Sequence, residues 1–403
     1  MSFISSGFFS MNSRILQTIV VALASFTTIA GTDIFIPSLP SLTTYFGASE
    51  NAVQLSIPLY LVGSLFAAPI LGVLSDHFGR RTLMFSGMGL FLFGTILCIY
   101  SPSLPVFLTA RFIQGFGAVT APVVGWAMIQ DLYPADESAK IMSWMGSIIS
   151  ISPLLAPALG GYIHAAFGWQ SNFILIFILT MITLTLMFFV KPKVKPRSQK
   201  EKLSILNSFK TYKRIITDKY FLYCISFFGL LTCGEWCIIT LIAFYFENTL
   251  HLSPEVFGLY LSLNGLFYIL GTLLAPMSLN WCGVNKTLRI GIILTLVASG
   301  GLLCVAFVAP TVPLLIMVAI GLYFVGTAMV WGPSTSRALQ RFEKTRGAAS
   351  ALRGLLLNVS FALGGFAGSL LNDSSLIPLA LFLLTMAIGC WIIFQRYVKL
   401  EHP

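Results

Sequence analysis

The chain has 403 residues, of which 57% are hydrophobic and 9% are charged. A soluble protein carries roughly 25% charged residues, so this chain has too little polar material to cover its own surface and requires lipid around it. The formal net charge of +10 would suggest a nucleic-acid partner in a soluble protein, but the positions of the basic residues, described below, argue against one.

The first apolar run follows Arg14 and is similar to the start of a secretory signal peptide. It is longer than such a peptide, has no small-x-small cleavage site, and leads into Asp33 and Pro37, so we interpret it as a retained first span. A span needs about 20 mostly apolar residues. Twelve runs satisfy this, at 15–38, 52–75, 83–100, 105–131, 138–163, 170–190, 219–246, 255–278, 288–309, 313–336, 348–371 and 376–395.

A polar and basic linker, residues 191–218, divides the chain into an N-terminal half, 1–190, and a C-terminal half, 219–403, with six predicted spans each. Ten Lys and Arg lie between Lys191 and Lys219. The loops predicted on the opposite side contain none, and Arg111 is the basic residue that lies well inside a span. The positive-inside rule therefore predicts that both termini are cytoplasmic. It also explains the positive net charge without a nucleic-acid partner.

The two halves are related by a weak internal repeat. An offset of 204 residues places Asp76 and Gly79 on Asn280 and Gly283, Gly117 on Gly321, and Gly160-Gly161 on Gly364-Gly365. A constant offset across distant positions indicates two related bundles that face each other across a cavity at the middle of the membrane. Such bundles can rock and open the cavity to either side in turn.

Cysteine and histidine give no indication of a metal centre. The seven Cys lie in apolar stretches, and Cys233 and Cys237 are one helical turn apart but have no His beside them. We expect both to be small apolar packing residues rather than metal ligands. The four His are scattered, and we expect no metal and no cofactor.

The connection between spans 2 and 3 has the sequence GVLSDHFGRR, from Gly72 to Arg81. It resembles the signature G-x-L-x-D-x-x-G-R-[RK] of the major facilitator superfamily. The resemblance covers essentially the whole chain and implies an all-α membrane protein of two pseudo-symmetric six-helix bundles. Gly72 allows close helix packing and Gly79 makes the tight turn.

The same resemblance implies a latch on the cytoplasmic side. Asp76 should meet the positively polarised start of span 11, and Arg80 should pair with Asp131 at the end of span 4. Arg81 should anchor the loop at the same side. A plain basic loop that only obeys the topology rule is the alternative.

Span 4 contains RFIQGFGA, which resembles the superfamily motif R-x-x-Q-G-x-G-A, with Arg111, Gln114, Gly115 and Gly117 at the matching positions. An arginine inside a span costs roughly 2.5–3.5 kcal/mol on insertion scales, so it needs a partner. Two partners are open: a carboxylate, reached directly or through water, or backbone carbonyls that hold the arginine in a structural role.

Span 5 contains SPLLAPALGG, which resembles the antiporter motif G-x-x-x-G-P-x-x-G-G, although Ser152 and Ala156 stand where the motif has glycine. The residues assigned to it are Pro153, Pro157, Gly160 and Gly161. The motif implies export. The stretch Thr32 to Pro40 in span 1 and the Phe-Gly-Trp turn at 167–169 resemble the bicyclomycin-resistance (Bcr/CflA) branch of drug exporters. Gln130 departs from that branch, which commonly has a basic residue there.

Three embedded ionisable residues are candidates for proton coupling: Asp33, Arg111 and Glu235. Asp33 lies roughly 28 Å up span 1 from Arg14, and Arg111 lies roughly 9 Å below the outer end of span 4, so both fall in the outer half of the membrane. We predict that Asp33 is the main proton site and that Arg111 tunes it; a helix-end residue facing outside water is the alternative.

Glu235 lies within one helical turn of the position that the repeat pairs with Asp33. We predict that it faces the cavity from the other half, as a second proton site or a contact for a cationic substrate; a purely structural glutamate is the alternative. Six aromatic residues on central spans are candidates for stacking on substrate: Tyr60, Trp126, Trp144, Trp236, Tyr268 and Trp331.

These observations predict a secondary transporter of the inner membrane, most consistent with a proton-coupled exporter of small amphipathic compounds. A proton-coupled importer of a nutrient or siderophore is the alternative. The chain lacks the short motifs of an intramembrane enzyme and the phosphate-binding loop of an ATP-driven pump, and its two-half design fits alternating access better than a channel. The expected partners are a small-molecule substrate, protons and lipid, with one chain sufficient for a complete pathway.

Overall fold

The computed structural model describes residues 13–189, 212–342, 345–371 and 374–401. The described residues form helices and short connections, without a strand. Most of the predicted linker, residues 191–211, lies outside the described ranges. The predicted division of the chain at 191–218 therefore stays a prediction.

The N-terminal half contains spans 1 to 6. Span 1 is broken into a helix, a single 3-10 turn and a second helix, and span 4 is broken by a π-helical segment. The bounds are Ser13–Asp33, Ile36–Ser38 and Leu39–Phe46 for span 1; Glu50–Gln54 and Ser56–Phe78 for span 2; Arg80–Ile99 for span 3; Leu104–Ala118, Ala121–Gly125 and Trp126–Leu132 for span 4; Ala135–Phe167 for span 5; and Gln170–Phe189 for span 6.

The C-terminal half contains the remaining spans. Its helices are Lys219–Phe244 with the π-helical segment Tyr245–Thr249 for span 7, Pro254–Val308 for spans 8 and 9, Pro313–Gln340 for span 10, Arg346–Leu370 for span 11 and Leu376–Glu401 for span 12. Span 7 begins where Asp218 caps it: the Asp218 carboxylate accepts a hydrogen bond from the Phe221 backbone N–H at 2.8 Å.

The described residues form twelve membrane spans, as predicted. Eleven described helical stretches are long and apolar enough to cross a membrane. One of them, Pro254–Val308, has 55 residues; at 1.5 Å per residue it would be about 80 Å long if straight, against about 30 Å for the hydrocarbon core. Gly283 interrupts it with a φ of 78° and a ψ of 177°, so this stretch is two spans.

The internal repeat is visible in the backbone. Gly79 and Gly283, 204 residues apart, both have positive φ values, 87° and 78°, and each joins two consecutive spans of its half. A residue with a Cβ would be strained at either position. The pair Gly160 and Gly364 also corresponds, because an added Cβ would lie 1.8 Å from the Ile34 carbonyl oxygen in one half and 2.1 Å from that of Cys233 in the other.

One predicted correspondence is wrong. Gly117 packs on the carbonyl of Gly87, and the same contact in the C-terminal half is made between Gly326 and Gly291. Gly87 and Gly291 obey the offset of 204, whereas Gly117 and Gly326 are 209 residues apart. Gly321 instead faces the ring of Phe267. The register of span 10 relative to span 4 is thus shifted by more than one helical turn.

The two halves contact each other at one end of the bundle. We call this the far end, because residue 13, the first described residue, lies at the opposite end. Asn51 donates a hydrogen bond to the Ser369 carbonyl at 2.8 Å, and Asn248 donates one to Glu50 Oε1 at 2.6 Å. Gly258 of span 8 lies against the carbonyl of Pro157 in span 5. The structure is therefore closed at the far end, which the charge distribution predicts to be the outer side.

An aromatic cluster fixes the far end of the N-terminal half. Trp169 is 4% exposed and packs edge-on against Phe107, with ring centroids 5.8 Å apart, and against Tyr45 and Phe173 at 5.1 and 6.0 Å. Such rings bury much apolar area and prefer these edge-to-face arrangements. The cluster ties the end of span 1 to spans 4 and 6.

Candidate functional site

A cavity of about 430 Å³ lies between the two halves. Eight spans contribute to its wall: 1, 2, 4 and 5 from one half, and 7, 8, 10 and 11 from the other. Its acidic and amide residues are Asp33, Glu235, Asn264 and Asn358, and its aromatic residues are Tyr60, Phe228, Trp236, Tyr268, Phe324 and Phe361. A mainly apolar wall with a few polar groups is typical of a small-molecule site.

Asp33 is the last residue of the first helix of span 1, directly before the irregular turn that contains Pro37. It lines the cavity, is 8% exposed, and its Oδ2 atom has no hydrogen-bond partner. The residue is therefore at a helix end, as the alternative interpretation held, but it is buried against the cavity. A buried carboxyl group without a partner is a costly feature that function can explain.

Arg111 is fully buried, and its partners are backbone carbonyls, the Gln114 side chain and aromatic rings. Its guanidinium donates to the carbonyls of Gly31 at 3.1 Å and Ser56 at 3.4 Å, and to Oε1 of Gln114. It also lies 4.2 Å from the centre of the Phe35 ring. Arg111 and Gln114 of the span 4 motif are thus joined directly to each other.

Asp33 and Arg111 lie at the same level, as predicted, because Arg111 bonds the carbonyl two residues before Asp33. Among the described contacts, however, no ion pair joins them. The ring of Tyr60 lies 4.5 Å from the Arg111 guanidinium, and Tyr60 lines the cavity as Asp33 does. In this conformation Arg111 has the structural role that the sequence left open, and tuning of Asp33 by Arg111, directly or through water, stays a prediction.

Glu235 lines the cavity from span 7 and is 7% exposed. Its Oε1 atom has no hydrogen-bond partner, and no ion pair reaches it in the part of the chain that the structure describes. Glu235 thus lies at the cavity on the side of the second half, and its predicted role as a second proton site or a contact for a cationic substrate stays a prediction.

The loop between spans 2 and 3 forms part of the predicted latch. Arg80 Nε lies 3.2 Å from Asp131 Oδ2 at the end of span 4, which confirms the predicted ion pair. Arg81 donates to the carbonyls of Met187 and Phe188, at 3.3 and 2.9 Å, and so caps the end of span 6. The predicted contact of Asp76 with span 11 lies outside the side chains that the structure describes.

The antiporter-like motif of span 5 borders both the cavity and the interface between the halves. Pro153 and Pro157 line the cavity. Gly160 faces span 1, whereas a Cβ at Gly161 would lie 2.4 Å from the carbonyl oxygen of Pro254 in span 8. Small residues here let the backbones of the two halves approach closely.

Of the six predicted aromatic residues, Tyr60, Trp236 and Tyr268 line the cavity. The other three, Trp126, Trp144 and Trp331, are not among its lining residues. Trp144 is 74% exposed on span 5, whereas Trp331 is 44% exposed and stacks on Phe228, with ring centroids 6.2 Å apart. These spans are apolar on all sides, so the sequence does not reveal which face meets the cavity.

Some cavity residues give only weak signals in the sequence. Asn264 and Asn358 are single amides inside apolar spans, which makes them detectable in principle, because polar residues in a span are rare and usually face the protein interior. Phe324 and Phe361 give no such signal, since phenylalanine is common on every face of these helices.

The fold and the cavity define a class: a multi-pass membrane transporter of two six-helix halves, with a central site for a small molecule. The model of the Major Facilitator Superfamily matches residues 21–234 and 229–403. The chain belongs to this superfamily, and it is a transporter of the cell inner membrane, not an enzyme.

Similar proteins include drug-resistance transporters. The chain is 27% identical to the chloramphenicol resistance protein CraA of Acinetobacter baumannii over 347 residues, 85% of this chain and 83% of that one. It is 25% identical to a bicyclomycin resistance protein homolog of Haemophilus influenzae over 362 residues, 88% of each chain. The resemblance to the bicyclomycin-resistance branch is thereby confirmed.

The fold is similar to that of a crystal structure of a D-xylose-proton symporter. The TM-score is 0.74, and the alignment covers 94% of this chain and 98% of that one. The sequences are 18% identical, so this similarity concerns the fold alone.

Proposed function

We propose that this protein is a proton-coupled antiporter that exports small amphipathic compounds across the inner membrane by alternating access, with the proton gradient as its energy source and no cofactor. The observation that carries the proposal is Asp33, a carboxyl group buried in the central cavity with an oxygen that lacks a hydrogen-bond partner. Such a group can hold a proton or release it, depending on which side of the membrane the cavity faces.

The cycle follows from competition between proton and substrate. When the cavity opens outward, Asp33 takes a proton from the more acidic outside. When it opens to the cytoplasm, the proton leaves, and substrate binds to the cavity with Asp33 ionised. Because the ionised carboxylate is costly in an apolar cavity without substrate, only the loaded forms change side readily, and this couples the two flows.

Contacts at both ends of the bundle support alternating access. The halves are joined at the far end by close helix packing of spans 5 and 8 and by the hydrogen bond from Asn51 to Ser369. At the other end, Arg80 and Asp131 hold the loop of the N-terminal half against span 4. Rocking of one half against the other would break the first set and bring the two cytoplasmic faces together. One chain contains the complete pathway, so we propose a functional monomer.

The cavity wall supports the proposed substrate class. It combines six aromatic side chains with few polar groups in about 430 Å³, which suits a small molecule that is largely apolar. The names of the relatives point the same way, because CraA and the bicyclomycin resistance homolog are both described as drug-resistance proteins.

The test is transport in proteoliposomes of known orientation, with an imposed pH gradient and labelled chloramphenicol, a lipophilic cation and a siderophore as candidates. Movement of a compound against the proton flow supports the proposal. Movement of a compound with the protons would make the protein a symporter, and the direction implied by span 5 would be wrong.

A further inference from the structure

A cluster of basic side chains lies at the ends of spans 9 and 12, opposite the far end of the bundle. All four are exposed and none lines the cavity: Lys286, Arg289, Arg396 and Lys399. Residues 283–308 and 376–401, which form these two spans, contain one acidic residue, Glu401. Among the contacts that the structure describes, none of the four basic residues forms an ion pair. Neither the cavity nor the latch uses these charges.

Two contacts join the ends of spans 9 and 12. The Arg289 guanidinium lies 5.8 Å from the centre of the Trp391 ring. The Tyr397 hydroxyl donates a hydrogen bond to Asn285 Oδ1 at 3.4 Å. The residue after Asn285 and the residue before Tyr397 are both basic. The basic residues of the two spans therefore border one groove, which we call the 9/12 groove.

An exposed aliphatic face continues from the basic residues along each span. On span 9, Lys286 is followed at spacings of one helical turn by Ile290, Ile293 and Val297. On span 12, Arg396 and Lys399 are preceded at the same spacing by Ile388 and Ile392. Residues three or four apart share a face of a helix. Each span thus presents positive charge at its end and a lipid-facing aliphatic stripe beside it.

The N-terminal half has no equivalent of this cluster on span 3. Spans 3 and 9 keep the offset of 204 residues, and Thr82 and Phe85 stand where span 9 has its two basic residues. The basic residues at the start of span 3 are engaged: Arg80 pairs with Asp131, and Arg81 donates to carbonyls at the end of span 6. The positive-inside rule explains on which side such charges lie, but it does not explain why those of spans 9 and 12 are gathered and unpaired.

The chemistry of the 9/12 groove suits an anionic phospholipid. Basic pockets between spans at the cytoplasmic side of membrane proteins bind anionic lipid headgroups. Lys286 also lies in the first turn of span 9, where the helix dipole disfavours a positive charge, so the charge does not serve the helix itself. A soluble anion would contact the charges alone, whereas a phospholipid also covers the aliphatic stripes.

We propose that the 9/12 groove is a binding site for an anionic phospholipid. The phosphate group lies among the four basic side chains, and the acyl chains lie along the aliphatic stripes of both spans. The site faces the lipid and is separate from the substrate cavity. The inference therefore goes beyond the proposed function and does not depend on it.

The test compares two lipids that have the same acyl chains and differ in headgroup charge, dioleoylphosphatidylglycerol and dioleoylphosphatidylcholine. Each is added to the purified full-length protein in detergent, and native mass spectrometry measures the lipid retained at each concentration. The wild-type protein should bind phosphatidylglycerol with a Kd at least about tenfold lower, which corresponds to about 1.4 kcal/mol. Phosphatidylcholine reports the contribution of the acyl chains.

Two double variants remove charge from the groove. Arg289→Gln with Arg396→Gln should lower the preference for phosphatidylglycerol at least about threefold and leave the Kd of phosphatidylcholine unchanged. Lys286→Gln with Lys399→Gln should do the same while leaving the contact of Arg289 with the Trp391 ring in place. This second pair keeps the test decisive if loss of the ring contact destabilises the first.

Two controls separate the groove from charge in general. Arg289→Lys with Arg396→Lys keeps both charges and should keep the preference. Lys140→Gln removes an exposed positive charge from the start of span 5, at the same end of the protein, and should also keep it.

The inference is overturned if the wild-type protein binds both lipids equally, if both Gln double variants lower the preference by less than about threefold, or if Lys140→Gln lowers it as much as they do. Displacement of phosphatidylglycerol by excess glycerol 3-phosphate would also overturn it, because the charges would then bind a soluble anion without acyl chains. The measurement uses neither substrate nor a pH gradient, so failure of the proposed antiport leaves its result unchanged.

Discussion

Gly161 of span 5 lies directly against the backbone of Pro254 at the start of span 8, so that a Cβ added to this glycine would stand 2.4 Å from the Pro254 carbonyl oxygen. Its neighbour Gly160 makes a contact that is as close, 1.8 Å by the same measure, with the carbonyl of Ile34 in its own half. Two adjacent glycines therefore serve different interfaces: one joins the two halves at the far end, and the other holds span 5 on span 1.

The first prediction separates these two roles. Gly161→Val should prevent full closure of the far end and reduce the transport rate at least about tenfold, because atoms this close cannot be accommodated without moving the halves apart. Its effect on thermal unfolding in detergent should be small, since each half can still pack. Gly160→Val is the matched comparison and should lower the unfolding temperature markedly. Equal effects of both substitutions on stability and transport would contradict this assignment.

The second prediction concerns the buried arginine. Arg111→Lys should destabilise the protein, because a lysine ammonium cannot reach the carbonyls of Gly31 and Ser56 and the Gln114 amide together. Hydrogen bonds that involve a charged group contribute about 1.5–3 kcal/mol each, so the unfolding temperature should fall by several degrees or more. A fully stable Arg111→Lys protein that loses only pH-dependent transport would show that Arg111 acts on the proton site instead.

The third prediction concerns the Arg80–Asp131 ion pair. Both side chains are partly exposed, at 25% and 34%, and ion pairs of this kind contribute at most about 1 kcal/mol to stability. Arg80→Ala and Asp131→Asn should therefore change the unfolding temperature little but slow transport, because the latch orders the loop between spans 2 and 3. The exchanged pair Arg80→Asp with Asp131→Arg should recover part of the rate. A large loss of stability in either single variant would refute a gating role.

The fourth prediction concerns the aromatic cluster at the far end. Trp169→Ala removes the ring that contacts Tyr45, Phe107 and Phe173 and should cost about 3–5 kcal/mol of folding free energy, as large-to-small substitutions of buried aromatics do. Trp169→Phe should recover most of it. The exposed Trp144 is the control: Trp144→Ala should leave the unfolding temperature unchanged. Equal losses of stability for Trp169→Ala and Trp144→Ala would contradict a special contribution of the aromatic cluster to folding.

The sequence was sufficient for the spans, for the repeat at Gly79 and Gly283, and for the Arg80–Asp131 pair, because these depend on composition, spacing and a specific motif. It also predicted that Asp33 and Glu235 face the cavity, since a carboxyl group inside a span usually faces the protein interior. The separate roles of Gly160 and Gly161 needed the structure, because adjacent residues on a helix differ only in the direction they face.

Rotation and register of the spans explain the errors. Trp331 was expected in the cavity but is not among its lining residues. An apolar helix has no polar face from which its orientation could be inferred. The offset of 204 residues wrongly paired Gly117 with Gly321, whereas the contacts pair Gly117 with Gly326. The offset holds at Gly79 and Gly283 but is larger by five residues at this point of the two halves. The sequence could not distinguish backbone carbonyls from a carboxylate as the partners of Arg111, because both can accept hydrogen bonds from a buried guanidinium.

The most direct test of the account is pH-driven transport by the wild-type protein and Asp33→Asn in the same proteoliposomes, with chloramphenicol or propranolol as the labelled compound. For wild type, acidifying the side that corresponds to the outside should drive the compound toward it, and reversing the gradient should reverse the flow. Asp33→Asn should abolish this response but still bind the compound. Gradient-driven movement that persists in Asp33→Asn would contradict the central claim that Asp33 carries the proton.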